Sequence, residues 1–458
     1  MHVDDDLPGD QLPLVAVPLP GSLGARLIDD LSRVECPGLT ARRRRREELS
    51  GASHDPIVWA RARGANVVDV EGNRFVDFTA GFGAALLGHS HPSVVAAVQR
   101  QSTRLLHALG DVYPSEPKIA LERRLAELAP WPARVILGLS GADAVEAALK
   151  TAALATKKPG VVAFVGGYHG LSYGAVGVSG YKTAFRAPFA AQLNAKVVFA
   201  PFPSVLAPSP DEAEQAVEAS LAAVDAALAT GEIGAVVVEP ILGRGGVEPA
   251  PAGFLAALAE RARLAGAVLI ADEVYTGLGR TGRLFRSIAQ RCVPDILVLG
   301  KALGGGLPVS ACLIREELAQ AWGAPDREAL HTSTFLGNPL GCAAALASLD
   351  VLTRPETADQ IRETGQRLES TLTEALRDHR LGVPRTTFAR LLVGLTLEGG
   401  SGRALAVMRS MLERGYIVLT GGVAGNVLTL TPPMCLTEAQ IDGFTHALVA
   451  SLHATRVP

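Results

Sequence analysis

Cysteine is scarce in this 458-residue chain: Cys36, Cys292, Cys312, Cys342 and Cys435 lie far apart, odd in number, with no C-x-x-C pair. That excludes a disulfide framework and a zinc knuckle, and points to reduced, structural thiols in a cytoplasmic protein. Neither sign of charge dominates, since 43 Lys and Arg face 46 Asp and Glu for a net −3. Nucleic acid and an anionic membrane are therefore not expected as partners. No apolar run approaches membrane-spanning length, and the acidic opening "MHVDDDLPGD" is no signal peptide. Aromatic residues are few, and none interleaves with "ARRRRREEL" (Ala41–Leu49), where two glutamates follow five arginines. A solvated or subunit-contacting face is expected there rather than a nucleic-acid patch.

The first fifty residues read as an extended arm with one short amphipathic piece. "GANVVDVEGNRFVDFTAG" then alternates around Glu71-Gly72-Asn73, which predicts a hairpin. From Pro92 onward, helical stretches such as "GADAVEAALKTAALAT" and "AGFLAALAERARLAG" alternate with short apolar strands: "RVILGLS", "GVVAFVGG", "AKVVFAP", "IGAVVVEP", "AVLIADEV" and "DILVLGK". Continuous Val/Ile/Leu runs bounded by helices imply an α/β fold with a mostly parallel central sheet covered by helices on both faces. After about Leu349 long helices with isolated strands suggest a smaller α+β domain. The expected division is an N-terminal arm and hairpin over 1–75, a large α/β domain over 76–349 and a small domain over 350–458.

In parallel α/β sheets the chemistry gathers at the carboxyl ends of strands. "RVIL" is followed by Ser140, Gly141, Ala142 and Asp143, which open a helix whose first N–H groups suit a phosphate. "VVAFV" leads to Gly166, Gly167, Tyr168, His169 and Gly170; "GAVVV" leads to Glu239; "AVLIA" leads to Asp272 and Glu273. "DILVL" leads to Lys301. Taken alone, Lys301 reads as a surface lysine just past a strand end. With a phosphate cradle, an aromatic and Asp272 it forms a kit: a buried lysine carries an aldehyde cofactor as a Schiff base, and a carboxylate keeps the cofactor's ring nitrogen protonated.

Seven segments in order, "GHSHP", "SGADAVEAALK", "GGYHG", "VEPILGRGG", "LIADEVYTGLGRTG", "LGKALGGGLP" and "HTSTFLGNPLGC", resemble the signature of class III (omega) aminotransferases, pyridoxal-phosphate enzymes of fold type I. The likeness covers roughly residues 55 to 435. It implies pyridoxal 5'-phosphate as cofactor, no metal, and a homodimer with shared active sites acting on a small-molecule amine or amino acid and an oxo acceptor. Lys301 resembles the Schiff-base lysine and Asp272 the partner of the ring nitrogen. Val274 and Tyr168 resemble the two residues that sandwich the ring. Gly141 and Ala142 replace the family's usual Gly-Ser at the phosphate, losing one hydroxyl, with Ser140, His169 and Glu239 completing the cofactor set. Thr334 matches a threonine that reaches a phosphate across the subunit interface. Tyr275 stands where a glutamine usually approaches the cofactor's phenolic oxygen. An amino-acid racemase or epimerase on the same scaffold is the alternative activity.

Three other motifs compete. "GLSYG" (Gly170–Gly174) satisfies the G-x-S-x-G of serine hydrolases, but four residues separate it from the preceding strand and "AVGVSGYK" after it does not read as helical. "LGKA" lacks the earlier glycine and the Ser/Thr of a P-loop. "HSH" (His89, Ser90, His91) lacks a third metal ligand nearby and reads as a turn.

The departures from the family fall on substrate recognition. Members acting on ornithine or 4-aminobutyrate carry an arginine after "YHG", where this chain has Leu171. They carry a second arginine three residues before the "PP", where this chain has Thr429, and a glutamate partner for it at the position of Arg244. A bidentate arginine–carboxylate contact is not replaced by leucine or threonine. Arg244 is thus expected either to grip a substrate carboxylate itself or to stay solvated while the pocket takes a plain amine, with Arg186 as a second candidate. Trp59 and Phe82 are candidates for an apolar wall of the pocket, core packing being the alternative.

Overall fold

A computed structural model describes residues 7–51, 53, 56–204, 209–323 and 328–455. The chain divides into two compact units, Met1–His91 with Asp359–Pro458, and Pro92–Ala358.

The second unit is built on a seven-stranded sheet, in spatial order Ala133–Gly138, Ser310–Arg315, Ile296–Leu299, Val268–Asp272, Ile233–Val238, Gly160–Phe164 and Val197–Ala200. The last five run parallel to one another. Ser310–Arg315 runs antiparallel to both of its neighbours and is a strand beyond the six apolar runs of the sequence. Its "SACLIR" is short and begins four residues after the glycine run, just past Pro308.

The apolar runs are continuous because both faces of this sheet are covered. Ala235, Val237, Val268, Ile270, Ile296 and Val298 pack with Ala144, Val145 and Ala148 of the helix Gly141–Thr156. Their sequence neighbours Val236, Val238 and Leu269 pack with Phe254, Leu255 and Leu258 of the helix Phe254–Leu264 on the opposite face. Side chains alternate across a strand, so neither alternate set can be polar when both faces are buried.

The first unit holds the hairpin expected around Gly72, with Asn66–Asp69 antiparallel to Arg74–Asp77. Arg74–Asp77 pairs in parallel with Tyr416–Ile417, which brings the two ends of the chain into one unit. A second sheet there is antiparallel, ordered Arg385–Phe388, Val393–Thr396, Val427–Leu430 and Leu419–Gly421. Phe78, Phe444 and Tyr416 sit at its core, the first two stacked at 3.7 Å between centroids.

The N-terminal segment is not an extended arm. It forms the helices Ser22–Val34 and Pro37–Ser50, the latter containing the arginine run. Pro37 begins that helix and left-handed Gly51 ends it, both suited to those places. The helix buries none of its residues, in keeping with a solvated face. Among the described residues no helix is long and apolar enough to cross a membrane.

Candidate active site

Asp272 ends the strand Val268–Asp272, and Lys301 lies two residues past the adjacent parallel strand Ile296–Leu299. The register pairs Asp272 with Val298 and so brings the two strand ends to the same edge of the sheet. Lys301 opens a single 3-10 turn with φ of +43°, a left-handed conformation costly for a lysine and characteristic of residues held in place by function.

Burial depresses the Lys301 amine to about 8. The charges of Asp272 and Glu239 work against that depression, and those of Arg280 and Arg244 reinforce it. Its Nζ stands 4.0 Å from the centroid of the Tyr275 ring. Asp272 is buried; its Oδ2 lies 2.8 Å from Nδ1 of His169, and its Oδ1 accepts from the Val274 N–H at 3.0 Å. Burial opposes the charged imidazolium of His169, but the hydrogen bond and charge of Asp272, with the charge of Glu239, outweigh it and hold His169 above its usual value. The His169 N–H donates to Ser179 Oγ at 2.9 Å.

Glu239, also buried, accepts from the Tyr168 N–H at 2.7 Å and the Gly243 N–H at 3.1 Å. Burial, opposed by His169, raises its carboxyl to about 7. Glu273, beside Asp272 in sequence, is turned away into a separate nest, accepting from Thr276 Oγ1, the Ser287 N–H and hydroxyl, and the Arg286 N–H.

Ser140 caps the helix Gly141–Thr156 in a capping box with Asp143. The Gly141 and Ala142 N–H groups are the first two of that helix and have no intrahelical acceptor. A Cβ added to Gly141 would lie 3.0 Å from Val274 Cγ1, so the helix start and Val274 are in close packing. Tyr168 is half-buried and carries the Arg244 guanidinium 4.6 Å from its ring centroid. The same guanidinium lies 5.4 Å from Tyr181 and 5.9 Å from Phe185, two rings stacked on each other at 6.1 Å. Sequence reading missed Tyr181 and Phe185, since Tyr181 precedes the short helix Thr183–Arg186 and no helical period links the two.

Arg244 is therefore not simply solvated. Arg186 lies over the Phe199 ring at 4.0 Å instead, with its Nε buried and unpartnered. Leu171 is exposed, and so is Thr334. In the other unit, Thr429 is buried with its hydroxyl unpartnered. Phe82 is 64% exposed and Trp59 43%, which overturns core packing for either. Phe82 projects from a left-handed turn in which Ala80, Gly81, Phe82 and Gly83 all have positive φ. Asp77 holds that turn through Thr79 and Gly81, and pairs with His89 at 2.8 Å.

"GLSYG" needs a correction. A short helix does follow Ser172, over Tyr173–Gly177. It forms because Glu146 accepts from the N–H groups of Gly174 and Ala175 at its start; Glu146 also takes the Ser172 hydroxyl at 2.7 Å. No strand runs into Ser172, so the nucleophile elbow is still missing its first half. Among the described residues no group of His, Cys, Asp and Glu is arranged to hold a metal.

The family Aminotransferase class-III matches residues 49–452. The chain is 38% identical over 403 residues to the acetylornithine aminotransferase of Mycobacterium tuberculosis, covering 87% of this chain and 92% of that one. It is 34% identical over 400 residues to the acetylornithine aminotransferase of Archaeoglobus fulgidus, covering 87% and 96%. An amine transaminase of an uncultivated Pseudomonas species, solved in its PLP-bound form, superposes with a TM-score of 0.80 at 27% identity, covering 87% and 95%.

The chain belongs to the class III aminotransferases. It is a fold type I, pyridoxal-phosphate-dependent enzyme that moves amino groups between amino and oxo compounds. Its residues fit the cofactor. The helix start at Gly141 and Ala142 suits a phosphate, Val274 and Tyr168 offer an apolar and an aromatic surface, and a desolvated amine near 8 suits an aldehyde.

Proposed function

We propose that this class III aminotransferase takes donors bearing a carboxylate and that Arg244 holds it. The observation that carries the catalytic assignment is Lys301, a half-buried residue whose desolvated amine is depressed to about 8 at the sheet edge it shares with Asp272. Pyridoxal phosphate, when bound, supplies an aldehyde and an electron-withdrawing ring that makes the donor's Cα proton removable. With the cofactor bound, Lys301 Nζ would be the base that takes that proton and, once protonated, the acid that gives it back. Asp272, oriented by His169 Nδ1 and the Val274 N–H, would hold the proton on the ring nitrogen. Val274 and Tyr168 would flank the ring, and the Gly141 and Ala142 N–H groups would take phosphate oxygens in a direction set by the Ser140 cap.

With no cation at Leu171 or Thr429, and Arg186 lying over the Phe199 ring, Arg244 is the cation assigned to the donor carboxylate. Its stacking on Tyr168, Tyr181 and Phe185 orients the guanidinium without neutralising it, leaving its charge available. Acetylornithine, named for the relatives above, belongs in the donor panel because its carboxylate would need Arg244.

The working unit is proposed to be a homodimer. Leu106, Leu109, Val112, Tyr113 and Phe335 are all more than half exposed. The segments bearing them adjoin, with His107 5.4 Å from Phe335, and Thr334 precedes Phe335. Such a patch favours cover by a second copy, which would deliver Thr334 to the partner's phosphate site. Five cysteines, none in a disulfide, support a cytoplasmic setting.

The test is incubation of the holoenzyme with an amino-acid panel, no acceptor present. Formation of pyridoxamine phosphate and the oxo product is expected. Inversion of the donor with the cofactor unconverted is the racemase outcome and sinks the transfer reading.

A further inference from the structure

Glu239 sits between two parts of the site that the sequence keeps far apart. It follows the strand Ile233–Val238 directly and is only 5% exposed. Each carboxylate oxygen takes a backbone N–H from a different loop: Oε1 from Tyr168 at 2.7 Å and Oε2 from Gly243 at 3.1 Å. Tyr168 is the proposed ring-stacking residue, and Gly243 immediately precedes Arg244. The side chains so anchored meet each other, with the guanidinium 4.6 Å from the Tyr168 ring. Gly243 is fixed from its other side as well, since a Cβ there would fall 2.8 Å from the Tyr275 ring, over which Lys301 stands.

We propose that Glu239 is a positioning residue that ties the ring-stacking wall to the Arg244 loop, so that one buried carboxylate governs both cofactor affinity and selectivity for carboxylated donors. This rests on the roles proposed for Tyr168 and Arg244. A carboxylate can serve two N–H donors fully only while ionised; once protonated, one of its oxygens is a poor acceptor and carries a proton toward a donor. The charged groups around it are His169, which favours its ionised form, and Asp272, which opposes it; Lys301 is coupled to it in turn, within the field of Arg244 and Arg280. With the carboxyl raised to about 7, the clamp is closed above neutrality and loosens below it.

The experiment compares the wild-type holoenzyme with Glu239→Gln, which points an amide N–H₂ at one of the two N–H donors. Three quantities are read: the dissociation constant for pyridoxal phosphate by absorbance titration of the apoenzyme, the KM ratio of an ω-amino acid to the plain amine of equal length, and the melting temperature. In the variant both the dissociation constant and the KM ratio are expected to rise about tenfold, the loss of one charge-assisted hydrogen bond. In wild type the ratio is expected to climb as pH falls from about 8 to about 6, and in Glu239→Gln to be flat.

A variant that melts lower but keeps the wild-type cofactor affinity and KM ratio marks Glu239 as merely structural and overturns the proposal. A pH-independent ratio in wild type overturns it without any variant, should Glu239→Gln fail to fold. If Arg244→Ala leaves the ratio unchanged, the Arg244 reading fails separately, because the cofactor-affinity result for Glu239→Gln does not depend on it.

Discussion

The Lys301 ammonium nitrogen stands 4.0 Å from the centroid of the Tyr275 ring, on the face of an aromatic where the family usually has a glutamine. A ring face attracts a cation, by about 0.5–2 kcal/mol depending on desolvation. It therefore restrains a depression of the lysine that burial drives. Tyr275→Phe keeps the ring and should leave the lysine's ionisation near 8. Tyr275→Gln removes it and should lower the midpoint further. The rate of reductive methylation of Lys301 against pH in the apoenzyme checks both; equal midpoints in all three proteins would refute the interaction.

Lys301 should also cost the apoenzyme stability. Its depression from 10.5 to about 8 corresponds to roughly 3 kcal/mol. The sign follows from proton counting: between about 8 and 10.5 the unfolded chain binds more protons than the folded one, so stability rises with pH through that window. Below about 8 the cost is fully present. Lys301→Met should stabilise the apoenzyme in denaturant titrations at neutral pH, with the advantage shrinking as pH climbs toward 10.5.

Arg244→Ala removes the proposed carboxylate grip. The KM for carboxylated donors should rise by about one to two orders of magnitude, as expected for a lost charge-assisted contact. The KM for plain amines should change little. Steady-state kinetics on matched donor pairs reads the difference, and parallel changes in both would remove Arg244 from substrate recognition.

Gly141 leaves no room for a side chain, because its Cβ would meet both methyls of Val274 at 3.0–3.1 Å. Gly141→Ala should shift the helix start and weaken pyridoxal phosphate binding about tenfold. Adding Val274→Ala opens the space and should restore part of that affinity. The two changes are then non-additive, which a double-mutant cycle on the cofactor dissociation constant measures.

The sheet and its two helical layers were legible in the sequence because a strand buried on both faces must be apolar at every position. Ile233–Val238, Val268–Asp272 and Ile296–Leu299 are all of that kind. Asp272 and Lys301 were legible for the same reason, as polar residues at or just past the ends of such runs. Ser310–Arg315 was not: antiparallel and inserted between two strands, it owes its place to pairing partners about 170 residues and about 15 residues away in sequence. The helix Pro37–Ser50 was missed because its charge pattern has almost no apolar face from which to read a period.

By itself the sequence determined the family kit: the helix start at Ser140, the strand-end acid and lysine, and the absence of the usual substrate arginines at Leu171 and Thr429. Only the tertiary structure decided where the charge of Arg244 goes and what Glu239 does. Arg244 lies on rings drawn from residues 168 to 185, and Glu239 takes N–H groups from two different loops. Those relations depend on which strands are neighbours in the sheet, and order along the chain carries no such information.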